Sequence, residues 1–452
     1  MTNVILLYPY FQPLSERSIF RFPPLGLGYL AAYLKEHGIS VDLVDCTFLS
    51  PEEVLQKIRR SNPRIIGIYS MFSMKKKATE FANLLREDCD LLVAGGPLPT
   101  LNPQDFLQHF DAVVIGEGER TVYDIACVME ENTRLSEVKG IAYKKNGRMT
   151  FTPPREPIWD LDSIPFPSRE LFDNQAYKSY YIRKFGYSVT SMITSRGCPF
   201  KCDFCSQPVF GNQVRTRSAE NIVDEIESVL ELGYQRVWFT DDCFTLERNR
   251  IFCICNEIIR RDLNIDWECL SRVDTIDREV LERMKQAGCR RIFFGIESGT
   301  DSVLSLMNKK MTTKEAVKAV KAAKEASIET GAFFIVGYPG ETDDTILETV
   351  RFASSLPLDY LSFTLPYPIP GTPLYEKVKN RIITDDWSES KDFHIVDHKL
   401  IYRSHFSEIK LKFAILKGMV QFKLRKCLKD PVYRFIGEPF EHLTDFLFRL
   451  LN

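Results

Sequence analysis

The sequence predicts an α/β protein built from two parallel sheets: a doubly wound N-terminal domain and a partial (β/α)6 barrel, followed by a mainly helical C-terminal region. Two observations predict this fold. Apolar strand patterns alternate with helix patterns over residues 1–150, and a second alternation with six strand and helix repeats occupies 189–378. Alternation at this spacing is typical of parallel βαβ units. Six repeats are too few for a closed eight-stranded barrel, so the second sheet is expected to be open.

Composition limits the function. The chain has 452 residues, which is enough for two or three domains, and its formal net charge of −2 gives no global basic field for nucleic acid. The start of the chain has no basic segment before an apolar stretch, and no apolar run reaches the length of a membrane span. We therefore expect a cytoplasmic protein with no signal peptide, no membrane span and no nucleic-acid partner. A Pro-rich, aromatic linker is expected over 151–188, and the C-terminal region over 379–452.

In the N-terminal domain, ligand contacts are expected in the loops that follow the strands. Open parallel sheets bind ligands at the carboxyl ends of their strands. The expected strands are 4–9, 41–45, 65–70, 91–96 and 111–119, and the expected helices are 26–38, 52–62 and 75–88. The loops in question are Pro9–Tyr10, Tyr69–Phe72, Gly95–Pro97 and Gly116–Glu119.

The second alternation places polar residues directly after its strands. The expected strands are 188–195, 236–242, 266–271, 291–297, 331–337 and 360–366, with helices at 218–232, 247–261, 277–287, 313–326 and 342–355. Because parallel strands end on one rim, the residues after them are expected to meet there. They are three cysteines after the first strand, Asp241 and Asp242 after the second, Arg272 after the third, Glu297 after the fourth and Gly337–Gly340 after the fifth.

Three of the twelve cysteines lie close together. Cys198, Cys202 and Cys205 are separated by three and then two residues. A structural zinc site usually takes four protein ligands, and the nearest further thiol, Cys243, follows another strand. Three thiolates on one loop suit three irons of a cubane cluster whose fourth iron stays open, whereas an electron-transfer ferredoxin supplies four. The remaining eight cysteines, which exclude Cys243, are interpreted as small buried apolar residues.

The segment C-P-F-K-C-D-F-C resembles the C-x3-C-x2-C signature of the radical S-adenosylmethionine (SAM) enzymes. The resemblance implies a [4Fe–4S] cluster on Cys198, Cys202 and Cys205, with SAM chelating the open iron and cleaved to a 5′-deoxyadenosyl radical. G-I-E-S-G, T-D-D, V-G-Y-P-G-E and P-I-P-G-T-P-L-Y resemble the segments at the ends of strands four, two, five and six of that family. It implies Asp241, Asp242 and Glu297 as catalytic residues, and the implied SAM contacts are Phe204, Ser206, Asp241, Arg272, Glu297 and Gly337.

The N-terminal half resembles the Rossmann-like cobalamin-binding domain of the class B radical SAM methyltransferases. The resemblance covers F-P-P-L-G-L-G-Y-L-A-A-Y-L, V-D-L-V-D, I-I-G-I-Y-S, A-G-G-P and V-I-G-E-G-E. Glycines there would let the backbone approach a bulky corrin, since they carry no Cβ. The implied cobalamin contacts are Pro24, Leu25, Gly26, Tyr69, Ser70, Met71, Phe72, Gly95, Gly96, Pro97, Gly116, Glu117 and Gly118.

One departure concerns the axial ligand of cobalt. Proteins that bind cobalamin with a histidine on cobalt carry D-x-H-x-x-G. His37 and His109 lack the Asp, and the sequence around His394 lacks the Gly. We therefore predict cobalt without a histidine ligand, with the Tyr69–Phe72 loop covering its lower face.

The resemblance implies a C-methyltransferase that moves a methyl group from SAM through methylcobalamin to an unactivated sp3 carbon, with a ferredoxin or flavodoxin as reductant in an anaerobic cytoplasm. Architecture and length also resemble the archaeal enzymes that methylate a glutamine of methyl-coenzyme M reductase, so a protein or peptide substrate is expected, with a small molecule as the alternative. A cobalamin-dependent cyclase or rearrangement enzyme, a methylthiotransferase and a non-catalytic corrin or redox sensor are the competing functions.

The C-terminal segment alternates aliphatic and basic residues at helical spacing. The expectation is a helical cap with a solvated basic face, and the alternative is a docking surface for a protein substrate or for a membrane. The basic residues are Lys410, Lys412, Lys417, Lys423, Arg425 and Lys426.

Overall fold

The computed structural model describes residues 3–11, 21–131, 133–206, 209–384, 398–428 and 432–451. These residues form two compact units. The first comprises the described residues up to Met192 together with the segment that ends at Arg236. The second comprises the segment from Ile193 to residue 206, the segment from Val237 to residue 384 and the described residues from 398 onward.

The first unit contains a seven-stranded sheet. Its first five strands are parallel neighbours in the order β2-β1-β3-β4-β5, and β6 and β7 extend the sheet as an antiparallel hairpin. The order 2-1-3-4-5 is a common doubly wound arrangement, and its connections reverse direction between β1 and β3. This confirms the predicted fold of the N-terminal half. The strands are β1 Asn3–Tyr8, β2 Ser40–Asp45, β3 Ile65–Tyr69, β4 Leu91–Gly95, β5 Ala112–Val114, β6 Ile141–Lys145 and β7 Arg148–Phe151.

Helices cover both faces of this sheet. Alternate residues of β1 enter opposite cores, with Ile5 and Leu7 on one face and Val4 and Leu6 on the other. The local sequence fixes where helices begin: the capping box of Ser50 and Glu53 starts α2. The helices that contribute to these cores are α1 Leu25–Glu36, α2 Pro51–Ser61, α3 Lys75–Leu84, α4 Pro97–Leu101, α5 Pro103–Phe106 and α6 Glu119–Glu131, and the first unit also contains α7 Asn174–Phe185 and α8 Ala219–Glu231.

The second sheet has six strands that follow chain order, β15-β14-β13-β12-β11-β8, and β8 is counted with the first unit. Its described pairings from β12 to β15 are parallel. This is the expected arrangement of six successive strand and helix repeats. The strands of this sheet are β8 Val189–Met192, β11 Arg236–Phe239, β12 Asp266–Ser271, β13 Cys289–Glu297, β14 Glu329–Ile335 and β15 Tyr360–Thr364, and two short strands outside it are β9 Ser195–Arg196 and β10 Arg215–Thr216. The helices are α9 Arg248–Arg260, α10 Arg278–Gln286, α11 Asp301–Leu306, α12 Thr313–Glu325, α13 Asp343–Ser355 and α14 Pro373–Val378.

The C-terminal region is helical, as expected, with α15 Glu408–Cys427 and α16 Val432–Leu450. The expectation of a solvated basic face is wrong for much of α15. Lys410 and Lys417 are buried, and they pair with Asp343 at 2.9 Å and Asp445 at 3.0 Å. Arg425 pairs with Glu441 at 2.8 Å. The sequence could not reveal this because the acidic partners lie on other helices.

Two elements inside predicted loop or linker regions were not expected. The β6–β7 hairpin closes the sheet edge, and α7 forms within the predicted linker, capped by the Asp173 side chain. Among the described helices, none combines the length and apolar character needed to cross a membrane.

Candidate functional site

The cysteine loop follows β9 and is held by hydrogen bonds to residues near its middle. The backbone of Asp203 donates to Met307 O at 3.0 Å and accepts from Leu374 N at 2.9 Å. Asn308 donates from its side chain to Lys201 O at 2.6 Å. Segments on either side therefore hold the loop, and the turn itself closes through the bond from Cys205 N to Cys202 O at 3.2 Å.

The three thiols fit a cluster rather than a single metal ion. None of these three cysteines is in a disulfide; Cys198 is buried, and Cys202 and Cys205 are half-buried. In the described part of the chain, no group of three or more His, Cys, Asp or Glu side chains converges on one ion. A cubane does not require such convergence, because each thiolate binds a different iron. Burial raises the pKa of Cys198 to about 11 and also raises that of Cys202, so iron binding at neutral pH would release protons from these thiols.

Two cations surround Cys202. Arg272, the residue after β12, points Nη1 at the Cys202 sulfur over 4.0 Å and stacks on Phe200 at 3.7 Å. Lys309 lies 5.7 Å from the centre of the Phe204 ring and is buried. Burial lowers the pKa of Lys309, but the negative charges of Glu297 and Cys202 outweigh it and raise the pKa overall. The site therefore holds positive charge near the Cys202 sulfur.

Glu297 ends β13 in an unusual backbone conformation, with φ of 72°. Its carboxylate accepts a hydrogen bond from Lys309 Nζ at 2.9 Å, and both side chains are buried. Gly295 makes room for this pair, because a Cβ there would lie 2.6 Å from Glu297 Oε1 and 3.1 Å from Lys309 Nζ. A non-glycine residue with positive φ at a strand end often marks a functional position.

The two aspartates after β11 have different surroundings. Asp241 is fully buried and accepts hydrogen bonds from Thr194 N at 2.6 Å, from the Thr194 hydroxyl, and from Ser195 Oγ at 2.7 Å. Its oxygens therefore fasten the segment that leads into the cysteine loop. Asp242 has an exposed side chain, yet crowding by protein and the charge of Asp241 raise its pKa to about 6. Of this pair, Asp242 is the carboxylate that a ligand can reach.

The loop after β14 is built around a buried carboxylate that the sequence reasoning did not single out. Glu341 Oε2 accepts from Gly337 N at 2.7 Å and from Tyr338 N at 2.8 Å. Burial raises the pKa of Glu341 to about 8. Within the described residues, Glu341 Oε1 and the Tyr338 hydroxyl have no hydrogen-bond partner. Gly337, with φ of 86°, lies under Leu411, where a Cβ would approach to 2.6 Å.

In the first unit, the loops after β3 and β4 meet. Ser70 N donates to Gly95 O at 2.8 Å, and Leu98 N donates to Ser70 O at 3.4 Å. Gly96 has φ of 109°, and a Cβ there would lie 2.7 Å from Ser70 O and 2.9 Å from the Tyr69 ring. The loop after β3 borders the point between β1 and β3 where the sheet order reverses, which is where doubly wound sheets bind ligands, and the loop after β4 lies next to it. Met71 is exposed and Phe72 is half-buried, while Pro97 begins α4.

The loop after β5 is only partly available to a ligand. Gly116 has open space around its Cα and donates to Thr100 Oγ1 at 3.1 Å. Glu117 accepts two hydrogen bonds from Arg215, at 2.7 and 2.9 Å, and one from Ile158 N at 2.8 Å. The Glu117 carboxylate is therefore engaged by hydrogen bonds within the protein. Gly118 packs against Leu30 of α1.

The start of α1 offers one open backbone position. Pro24 is buried and precedes the helix, and Leu25 is half-buried. Gly26 is exposed, and a Cβ added there would have no atom within 4 Å. Ser206, at the end of the described cysteine loop, is also exposed.

His37 and His109 lie apart from these loops, whereas the buried Cys243 directly follows Asp242 in the loop after β11. His37 contacts Tyr33 O at 2.8 Å, His109 contacts Asn83 at 2.9 Å, and His394 lies outside the described residues. Of the cysteines expected to be buried, Cys46, Cys255, Cys269 and Cys289 are buried, but Cys253 and Cys427 are exposed because they lie on the outer faces of α9 and α15. Cys89 and Cys127 are half-buried.

Several polar residues of structural importance were missed by the sequence reasoning. Lys309 and Asp274 carry no motif of their own. Glu225 gave a weak signal, since it interrupts the buried apolar stripe of α8. Its carboxylate accepts from Arg169 and Arg217, at 2.7 and 2.5 Å, in the first unit. A charged residue at a buried helix position is a general indication of such a network.

The two halves match separate family models. The model described as the Radical SAM superfamily matches residues 192–353, and the model of the B12 binding domain matches residues 17–126. The uncharacterized methyltransferase PH0819 of Pyrococcus horikoshii is 34% identical over 428 residues, which cover 92% of this chain and 91% of that protein. The anaerobic magnesium-protoporphyrin IX monomethyl ester cyclase of Rubrivivax gelatinosus is 29% identical over 86% of this chain and 72% of its own length.

Solved structures share the fold. The radical SAM methyltransferase TsrM from Kitasatospora setae, solved with cobalamin and a [4Fe–4S] cluster, gives a TM-score of 0.72 at 20% identity over 84% of this chain and 75% of that chain. The cobalamin-dependent SAM radical enzyme OxsB gives 0.75 at 21% identity over 99% and 72%. The chain belongs to the radical SAM methyltransferases with a B12 binding domain, an enzyme family that uses a [4Fe–4S] cluster, SAM and cobalamin.

Proposed function

We propose that this enzyme transfers a methyl group to an unactivated sp3 carbon, with Cys198, Cys202 and Cys205 as the cluster ligands. The observation that carries the proposal is the loop of three cysteines outside any disulfide, with Arg272 and Lys309 near Cys202. When bound, the cluster and SAM supply a radical that removes hydrogen from carbon, and cobalamin supplies the methyl group.

The chain's own residues then have definite tasks. Asp242 offers a reachable carboxylate near Cys198, where it would attract the ammonium or sulfonium charge of SAM. Glu297 would receive the same ligand in exchange for its bond to Lys309. Asp241 acts as a positioning residue, because its oxygens are engaged by Thr194 and Ser195. Gly337, Phe204 and Ser206 line the neighbouring loops.

Cobalamin would be held by the loops at the switch point of the first sheet. Support comes from the left-handed Gly96 against Tyr69 and Ser70, and from the open backbone at Gly26 and Gly116. Glu117 would contribute by fixing its loop through Arg215 rather than by contact. No histidine is expected on cobalt, and a cobalt EPR spectrum with a protein nitrogen hyperfine pattern would contradict that.

The proposed substrate is a protein side chain, with a glutamine of methyl-coenzyme M reductase as the first one to test. This rests on the architecture and length of the chain. A ferredoxin or flavodoxin is the proposed electron donor. The cluster and reduced cobalamin would require oxygen-free conditions. A peptide that spans the target glutamine should gain 14 mass units per methyl group, a value set by replacement of one hydrogen by CH3.

The test follows the fate of SAM. The protein is reconstituted anaerobically with iron, sulfide and cobalamin, reduced, and given SAM, and products are quantified by mass spectrometry. We expect both S-adenosylhomocysteine and 5′-deoxyadenosine. In the variant C198A/C202A/C205A only the 5′-deoxyadenosine is expected to vanish, since those thiols serve the cluster alone. The matched control is Cys253→Ala, an exposed cysteine of α9.

A cyclase or rearrangement enzyme is the second candidate, favoured by the 29% identical cyclase relative. The same experiment separates the two. If the protein forms 5′-deoxyadenosine but no S-adenosylhomocysteine, the cyclase candidate replaces methyl transfer.

A further inference from the structure

The guanidinium of Arg272 is held by several contacts, and its Nη1 atom is directed at the Cys202 sulfur. Nε and Nη2 donate to the two Asp274 oxygens at 2.8 and 2.9 Å, and Nη2 also donates to Lys309 O at 2.8 Å. The face of the guanidinium stacks on Phe200 at 3.7 Å. Among the described residues, the only acceptor near Nη1 is Cys202 Sγ at 4.0 Å, the outer limit of an N–H···S bond.

Lys309 places a second positive charge near the same sulfur. Its ammonium is fixed by Glu297 at 2.9 Å and lies over the ring of Phe204, the residue before Cys205. Arg272 and Lys309 are both more than nine-tenths buried, so solvent screens their charges weakly.

The carboxylates Asp274 and Glu297 balance these cations in number. Each carboxylate is bonded to its own cation, Asp274 through both oxygens to Arg272 and Glu297 through Oε1 to Lys309. The Nη1 donor of Arg272 is the group directed at the Cys202 sulfur.

We propose that Arg272, supported by Lys309, is a positioning residue that sets the reduction potential of the cluster through Cys202. In the step concerned, a low-potential one-electron carrier loses an electron and the cluster gains it, with no bond made or broken. Positive charge and an N–H donor at a cluster thiolate stabilise the added negative charge, so they raise the potential. The inference rests on the proposed assignment of the three cysteines as cluster ligands, not on methyl transfer.

The test is an EPR-monitored redox titration of the reconstituted full-length protein without SAM. The variants are Arg272→Gln, Arg272→Lys and Lys309→Met. For R272Q we expect at least a tenfold lower equilibrium constant for cluster reduction, which is 59 mV more negative for a one-electron couple. R272K keeps the charge but loses the planar fork, so a smaller negative shift is expected, and K309M should also shift the potential downward. The control is Arg278→Gln, whose side chain is exposed and pairs with Glu282 within α10.

Equal midpoint potentials in every variant that binds iron would overturn the inference. Failure of all three variants to bind iron would overturn it too, since the two cations would then be needed to build the loop rather than to tune the cluster. If the unaltered protein itself showed no cluster signal, the ligand assignment would fail instead, so the two failures are distinguishable.

Discussion

At the scale of single residues, Glu341 is a buried acid that remains protonated at neutral pH. Its pKa is raised to about 8 by burial, although two backbone N–H groups oppose the shift. Between the ordinary glutamate pKa and pH 8 the folded protein holds more protons than the unfolded chain. Folding stability contributed by this residue is therefore present at low pH and is lost as pH rises to about 8.

Replacing Glu341 with Gln should remove this pH dependence. The amide keeps an acceptor for Gly337 N and Tyr338 N but has no proton to lose. The free energy of unfolding of E341Q minus that of the unaltered protein should therefore increase by on the order of 4 kcal/mol when the pH is raised from 5 to 8. Urea titrations at both pH values measure it. Parallel curves for the two proteins would contradict the prediction, and Glu438→Gln, an exposed site on α16, should follow the unaltered protein.

Gly96 and Gly26 provide a matched pair of glycines. Gly96→Ala forces a Cβ against Ser70 O at positive φ, so a loss of about 2–3 kcal/mol in unfolding free energy is expected. Gly26→Ala meets open space in a helix, so a gain of roughly 0.5–1 kcal/mol is expected for the cofactor-free protein. If cobalamin approaches α1 as proposed, G26A should also weaken cobalamin binding, measured by corrin absorbance after gel filtration. Unchanged binding would remove Gly26 from the proposed contacts.

The sequence indicated many of the residues at the site but not how they are paired. Cys198, Arg272 and Glu297 could be placed because each follows a strand whose apolar run is visible. Lys309 could not, since its position beside Cys202 depends on how the segment after α11 folds back. The contrast between Asp241 and Asp242 also requires coordinates, because neighbouring residues in a chain have no pattern that distinguishes a buried acid from an exposed one.

At the scale of elements, α15 and α16 are joined by buried charges. Lys417 pairs with Asp445 at 3.0 Å and donates to Gln421 at 2.9 Å, and its side chain is completely buried. Burial lowers its pKa despite the nearby Asp445. Removal of one partner from such a pair leaves an uncompensated charge in the interior.

Lys417→Met should therefore destabilise the protein by about 3 kcal/mol, the lower end for breaking a buried pair, because Arg351 also contacts Asp445. Lys423→Met, on the exposed face of the same helix, should change stability by no more than about 0.5 kcal/mol. Thermal unfolding followed by circular dichroism measures both. Similar melting temperatures for the two variants would show that the pair adds little.

The regular elements were predictable where one periodicity dominated. Strand β3 and residues 331–335 of β14 are apolar runs, and α12 has an apolar stripe behind a capping box. The β6–β7 hairpin was missed because Ile141–Lys145 has only two buried residues at one end. Helix α7 was missed because its aromatic residues gave no clear stripe, and only Tyr177 and Tyr181 are buried.

At the scale of the whole molecule, the loops that follow the two sheets differ in kind. The first sheet, with order 2-1-3-4-5, has loops in which backbone segments approach closely, and Gly96 is the clearest example. The second sheet, in chain order, is followed by thiols and buried charges. The loop of Gly96 lies in the first compact unit, and the cysteine loop, Arg272 and Lys309 lie in the second.

The two cofactors should therefore load independently. The variant C198A/C202A/C205A removes three half-buried or buried thiols from a loop and leaves the sheet cores intact, so it should lose its iron and sulfide but keep cobalamin. Added cobalamin should raise the melting temperature of this variant as much as that of the unaltered protein, because a ligand stabilises only through the state it binds. Iron and sulfide assays, corrin absorbance and calorimetry measure the three quantities. A triple variant that no longer retains cobalamin would mean that the cysteine loop also contributes to the corrin site, and the assignment of that site to the first unit alone would be wrong.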